Sequence, residues 1–293
     1  MGEYYIMKIE VVEFPGKNVK LKAYLYEESE EMKEWKKRPA VVVCPGGGYY
    51  ICSDREGDPI AMHFSAKGFN TFVFTYSVNE AAAYPRPLIE LSRALKLIRE
   101  NADNWGVDTE KIAVCGFSAG GHLTASLGTL WNNEEIMEQS GCLIGENQPN
   151  ALVLGYPVTS TSWIENSNEL KRIVGNRDFD ATIELLQPYK NVGKQTPPSF
   201  IFHTYFDNCV PVEDSLCFAE GCAKADVPFE LHVYTNGCHG LATATATTGG
   251  VDHQLSPWMD TASDWLWRLF GRSDYQQFGS DQTRAHPCDR NKF

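Results

Sequence analysis

Apolar and polar positions along this chain alternate between two periods. Residues 7–14 and 20–27 alternate in twos and predict two strands joined by the Pro15-Gly16-Lys17-Asn18 turn. Pro39 to Cys44, Phe69 to Tyr76, Ile112 to Cys115, Ala151 to Tyr156, Pro198 to Thr204 and Phe229 to Tyr234 are short apolar runs. Such runs suit strands buried on both faces. Between them lie helical stretches. Residues 58–67 carry Ile60, Ala61, Phe64 and Ala66, and Gly68 stops them. Leu88, Leu91, Leu95, Ile98 and Ala102 recur at steps of three and four, so one face of that helix is buried. His122 to Trp131, Val212 to Ala223, and the stretch carrying Trp258, Ala262, Trp265 and Leu269 predict three more helices.

Strand and helix in alternation imply a parallel sheet covered on both faces, an α/β fold. The series occurs once, without internal repeat, so a single domain over 1–270 is expected. Residues 132–149 are polar and predict a loop. Residues 158–196 lack a clean period and predict a small cap with short helical pieces. The polar stretch 271–293 predicts a C-terminal extension.

Composition narrows the partners. In 293 residues, Lys+Arg 26 against Asp+Glu 38 gives a net charge of −12, which disfavours nucleic acid and anionic membrane. Nine cysteines, with no CxxC pair and no metal spacing, are odd in number, so a full disulfide framework cannot form within the chain and a reducing compartment is the simpler reading. The N-terminal MGEYYIMKIEVVEF is charged throughout, and no stretch approaches the roughly 20 apolar residues of a membrane span. A cytoplasmic location without membrane association is the expectation, and homo-oligomerisation is left open.

The chemistry centres on Gly116-Phe117-Ser118-Ala119-Gly120. A strand precedes it and a helix follows. That is the context of a nucleophile elbow, in which tight turning exposes the Ser118 hydroxyl beyond the sheet edge. A serine hydroxyl needs a base, and the base needs an orienting acid. Both are expected after strand ends later in the chain. Asp207 follows the strand ending at Thr204, ahead of Glu213 and Asp214, which sit on the next helix and suit its dipole. His239 follows the strand ending at Tyr234, between Cys238 and Gly240. The rival histidines are less well placed. His203 and His232 lie within strands, His63 and His122 on helices, and only His253 shares a loop position. Backbone donors for an oxyanion are expected from Ala119 and from Gly47 and Gly48, after the strand Ala40–Cys44. A phosphate loop is disfavoured because no G-K-[ST] follows the glycines. Asp54-Arg55-Glu56-Gly57 reads as a helix start with Asp54 as its cap, or else as a border of the pocket.

PGGGYY, SDREGDPIAMHFSAKGFNTFVFTYSV, GFSAGGHLTASLGTLW, YPV, the DxxVP segment and GCHG together resemble the α/β-hydrolase esterases. More narrowly, the chain resembles their bacterial acetyl-esterase and sugar-esterase branch over roughly residues 20–270. The resemblance implies a mostly parallel sheet, a small cap, no cofactor and no metal. It implies Ser118, Asp207 and His239 as nucleophile, acid and base. It also implies short acyl groups on carbohydrate, such as acetylated xylo-oligosaccharides, as substrates. Pro45 stands where the lipase-like loop carries histidine, and Asn208 stands where relatives often carry a second acid. A feruloyl or aryl esterase, a peptidase of the same fold, and a binding protein that lost the chemistry are the alternatives.

Overall fold

The computed structural model describes residues 7–32, 36–160 and 168–271. Eight strands form one sheet: β1 (Met7–Glu13), β2 (Lys20–Tyr26), β3 (Arg38–Cys44), β4 (Asn70–Thr75), β5 (Val107–Phe117), β6 (Ala151–Gly155), β7 (Ser199–Thr204) and β8 (Phe229–Tyr234). Their spatial order is β1-β2-β4-β3-β5-β6-β7-β8. β2 is antiparallel to both β1 and β4, and every pairing from β4 to β8 is parallel. β3, β6 and β7 are buried at every residue, as strands covered on both faces must be. β1 forms one edge and alternates, leaving Ile9 and Val11 in solvent.

Helices α1 (Asp58–Ala66), α2 (Arg86–Glu100), α3 (Ser118–Leu130), α4 (Glu134–Ser140), α5 (Asn168–Val174), α6 (Phe179–Leu185), α7 (Val212–Ala225) and α8 (Trp258–Leu269) complete the chain. On one face of the sheet, Leu88, Leu91, Leu95 and Ile98 of α2 pack with Leu123 and Leu127 of α3. On the other face, Ile60 and Phe64 of α1 meet Trp258, Trp265 and Leu266 of α8. The α3 helix is buried at every residue, so Ser118 is carried by the most enclosed helix of the fold. Among the described residues no helix is long and apolar enough to cross a membrane.

Several boundaries differ from expectation. The 132–149 segment contains α4, capped by the Asn133 side chain on the Ile136 amide and ended by Gly141 at φ 70°. A seven-residue helix burying only Ile136 and Ser140 leaves too little periodicity to read. β5 begins at Val107 rather than Ile112, because Val107 pairs with Arg38 before the register shift between Arg38 and Ala40. The helix of the elbow starts at Ser118 itself, four residues earlier than His122. Asp54 is not a cap. It opens one turn of 3-10 helix, Asp54–Glu56, which has no side-chain cap, and α1 follows Gly57. The described part of the expected 158–196 cap holds α5, α6 and a 3-10 turn at Pro188–Lys190. Residues 161–167 of that cap, and the extension beyond Gly271, lie outside the described residues.

Candidate active site

The sequence brings three strand ends to one sheet edge. β5 ends at Phe117, and Ser118 follows at φ 51°. That left-handed conformation is costly for a non-glycine residue and persists only where the surroundings enforce it. Here the enforcing contact is close packing behind the turn. A β-carbon on Gly120 would meet the Cys44 carbonyl oxygen at 2.1 Å, so β3 and α3 approach too closely for any side chain. Asp207 follows β7 and His239 follows β8.

His239 Nε2 stands 2.9 Å from Ser118 Oγ, and His239 Nδ1 stands 2.8 Å from Asp207 Oδ2. Nδ1 donates to the carboxylate, which leaves Nε2 as acceptor for the Ser118 hydroxyl. Asp207 also accepts at Oδ1 from the amides of Cys209 (2.8 Å) and Val210 (2.9 Å). Burial pushes its carboxyl up. Hydrogen bonds from His203, His239, Val210 and Cys209 outweigh burial and hold it well below the usual carboxylate range. It is therefore ionised throughout the neutral range. Asn208, at the position where relatives often carry an acid, accepts from the His239 amide at 3.2 Å and ties the two loops together.

The glycine loop follows β3. Gly47 has φ 122°, a conformation reserved for glycine, and its carbonyl accepts from the Tyr50 and Ile51 amides. The Gly46 amide is occupied by Glu56 Oε2 at 2.8 Å. The Gly47, Gly48 and Ala119 backbones line the same cavity as Ser118 and His239. Its volume is about 540 Å³. Leu170 and Ile173 from α5 and Leu186 after α6 form an apolar wall. Arg172 of α5 fastens that wall to the glycine loop by donating to the Tyr49 carbonyl at 3.3 Å, and to the segment after β4 by donating to the Asn79 carbonyl at 2.8 Å.

The rival residues have other partners. His63 pairs with Asp260 at the surface, and His232 stacks on Phe200. His253 is not among the residues lining the cavity. His203 lies beneath Asp207, accepting at Nδ1 from Ser215 Oγ (2.7 Å) and donating from Nε2 to the Val210 carbonyl (3.0 Å). His122 lines the cavity, with Nε2 donating to the Leu186 carbonyl (3.0 Å) and Nδ1 accepting from the Tyr49 hydroxyl (2.7 Å). Burial lowers His122 to about 4, so it is neutral. Asp214 does more than complement the α7 dipole. Its carboxylate accepts from the Thr159 amide (2.7 Å), the Ser160 amide (3.0 Å) and Ser160 Oγ (2.9 Å), fixing the start of the cap.

Sequence reasoning missed Glu56 and Tyr156. Glu56 is 3% exposed, and its Oε1 accepts from the Tyr156 hydroxyl at 2.6 Å. The same hydroxyl accepts from the Ala242 amide at 3.0 Å, and the Tyr156 ring lies edge-on to His239 with centroids 5.0 Å apart. The signal is a glutamate ten residues after Gly46, near enough in sequence to turn back on the glycine loop. Among the described residues, no group of three or more His, Cys, Asp or Glu side chains could hold a metal ion.

A mostly parallel eight-stranded sheet with a strained serine between strand and helix defines the class: the chain has the α/β-hydrolase fold. The chain belongs to the BD-FAE family, whose profile matches residues 26–221. It is 35% identical over 216 residues to endo-1,4-beta-xylanase B of Butyrivibrio fibrisolvens, a match covering 71% of this chain and 33% of that protein. The chain thus spans about a third of that relative's length. Other curated relatives are named esterase and carboxylic ester hydrolase. The crystal structure of MGS-M1, an α/β-hydrolase enzyme from a Medee basin deep-sea metagenome library, is similar at TM-score 0.76 and 34% identity. That likeness covers 92% of this chain and 100% of that one. The acetyl ester-xyloside bifunctional hydrolase of Caldicellulosiruptor lactoaceticus is similar at TM-score 0.73 and 32% identity, covering 86% of this chain and 88% of that one.

Proposed function

We propose that the chain is a serine carboxylesterase of one hydrolase domain, removing short acyl groups, chiefly acetyl, from carbohydrate esters such as acetylated xylo-oligosaccharides. The observation that carries the chemistry is the chain of contacts Ser118 Oγ, His239 Nε2, His239 Nδ1 and Asp207 Oδ2, at 2.9 Å and 2.8 Å. Ser118 Oγ adds to the ester carbonyl carbon while its proton passes to His239 Nε2. Asp207 holds the ring orientation and stabilises the imidazolium. The amides of Ala119, Gly47 and Gly48 receive the oxyanion, each such donor typically contributing about 3 kcal/mol. Collapse breaks the carbon–oxygen bond to the alcohol, whose oxygen takes the proton from Nε2. Water then repeats the sequence on the acyl-serine and releases the acid.

The carbohydrate part of the reading is supported by the names of two relatives, a xylanase and an acetyl ester-xyloside hydrolase. A cavity of about 540 Å³ with an apolar wall exceeds the needs of an acetyl group, which favours aryl acyl groups such as feruloyl as a second reading. Acetate release from acetylated xylo-oligosaccharides, measured beside feruloyl esters, separates the two. Ser118→Ala is expected to lower kcat on p-nitrophenyl acetate by several orders of magnitude with the fold intact. Retained turnover in that variant removes the serine mechanism. A protein without turnover in either form is the binding module instead.

A further inference from the structure

Arg55 has no part in the chemistry above, yet it lines the cavity. It is exposed, and among the described residues that line the cavity it is the one lysine or arginine. Among the described residues no hydrogen bond or ion pair engages its guanidinium, whereas Arg177 pairs with Glu135 and Arg268 with Glu230. Its backbone is held firmly. Glu56, the next residue, is buried with both carboxylate oxygens engaged, and the Ser53 amide donates to the Gly46 carbonyl at 2.9 Å. The guanidinium nitrogen lies 3.3 Å from the place a β-carbon on Gly240 would occupy, so it abuts the loop carrying His239.

That position has a chemical meaning. His239 delivers its proton to the departing oxygen, so the alcohol half of the ester leaves on the His239 side. A fixed cation there opposes the imidazolium that forms during turnover of a neutral ester. An anion bound to it cancels that effect. In a chain of net charge −12, a cation at this wall that has no ion-pair partner among the described residues also stands against the prevailing field. We propose that Arg55 forms a carboxylate-binding subsite for the alcohol half of the substrate, making the preferred substrates acyl esters of acidic saccharides, such as those bearing a uronic acid. The planar guanidinium fork suits a carboxylate held by two parallel hydrogen bonds. The proposal rests on the ester-hydrolase reading.

The test compares 3- and 4-acetoxybenzoate with their neutral methyl esters, which differ in charge but keep the same acyl group. For the wild type, kcat/KM is expected to favour at least one carboxylate isomer about tenfold at low ionic strength, in keeping with a hydrogen bond to a charged group. Added salt should shrink the ratio. Arg55→Gln should bring the ratio near one, and Arg55→Lys should restore part of it. No preference in the wild type, or an unchanged preference in Arg55→Gln, overturns the subsite while leaving ester hydrolysis standing. Failure of the wild type to hydrolyse any of the four esters overturns both readings.

Discussion

At the scale of single residues, two carboxylates at the candidate site each accept several hydrogen bonds but tie different parts together. Asp207 is surrounded by donors and orients the histidine. Glu56 instead joins backbone to side chain: one oxygen takes the Gly46 amide and the other the Tyr156 hydroxyl. It connects the loop expected to bind the oxyanion with the ring packed against His239. Glu56→Gln keeps the shape but offers only one acceptor oxygen, so one buried donor loses its partner. Such a loss costs about 1–3 kcal/mol. If it displaces the glycine loop, kcat on p-nitrophenyl acetate should fall about 10- to 100-fold with KM little changed. Steady-state kinetics check this, and an unaltered kcat separates Glu56 from the oxyanion loop.

At the scale of elements, what the chain discloses depends on how locally each piece is determined. Strands such as Ala151 to Gly155 are buried on both faces and are legible as apolar runs. The turn at Ser118 is legible because its tight packing demands small residues in sequence. Asp207 and His239 are legible because each follows directly on a recognisable strand. The bonds of Glu56 to Tyr156, 100 residues apart, and of Asp214 to Thr159, 55 apart, leave no local pattern. Nor does a helix as short as α4. Asp214 shows what such a distant bond does for an element. The segment Val158–Ser160 leads from β6 into the cap, and Val158 lines the cavity. Asp214→Ala removes the buried acceptor of three hydrogen bonds from Thr159 and Ser160. Unfolding in urea should then show a loss of about 2 kcal/mol, and KM should rise as the cap loosens. A variant matching the wild type in both would place the cap's support elsewhere.

At the scale of the whole molecule, the response to acid has two separable parts. As pH falls, carboxylates protonate and the net charge of −12 shrinks, which relieves self-repulsion and favours the folded state. His122 acts the other way. Its folded value is near 4, while in the unfolded chain it returns to about 6.5. Between those values the unfolded chain binds the extra proton, so stability is full above about 6.5 and declines towards 4. The buried ring contributes a loss on the order of 3 kcal/mol across that window. Asp207 is also depressed when folded, but its contribution is present above about 3.9 and disappears only at lower pH. The two windows therefore do not coincide. Denaturation of the wild type and of His122→Gln at a series of pH values resolves them. The difference in unfolding free energy between the two proteins should change with pH between 6.5 and 4, the wild type losing more. A pH-independent difference would mean that His122 is already charged in the folded protein, and that the Tyr49 hydroxyl and the Leu186 carbonyl hold an imidazolium in the cavity wall.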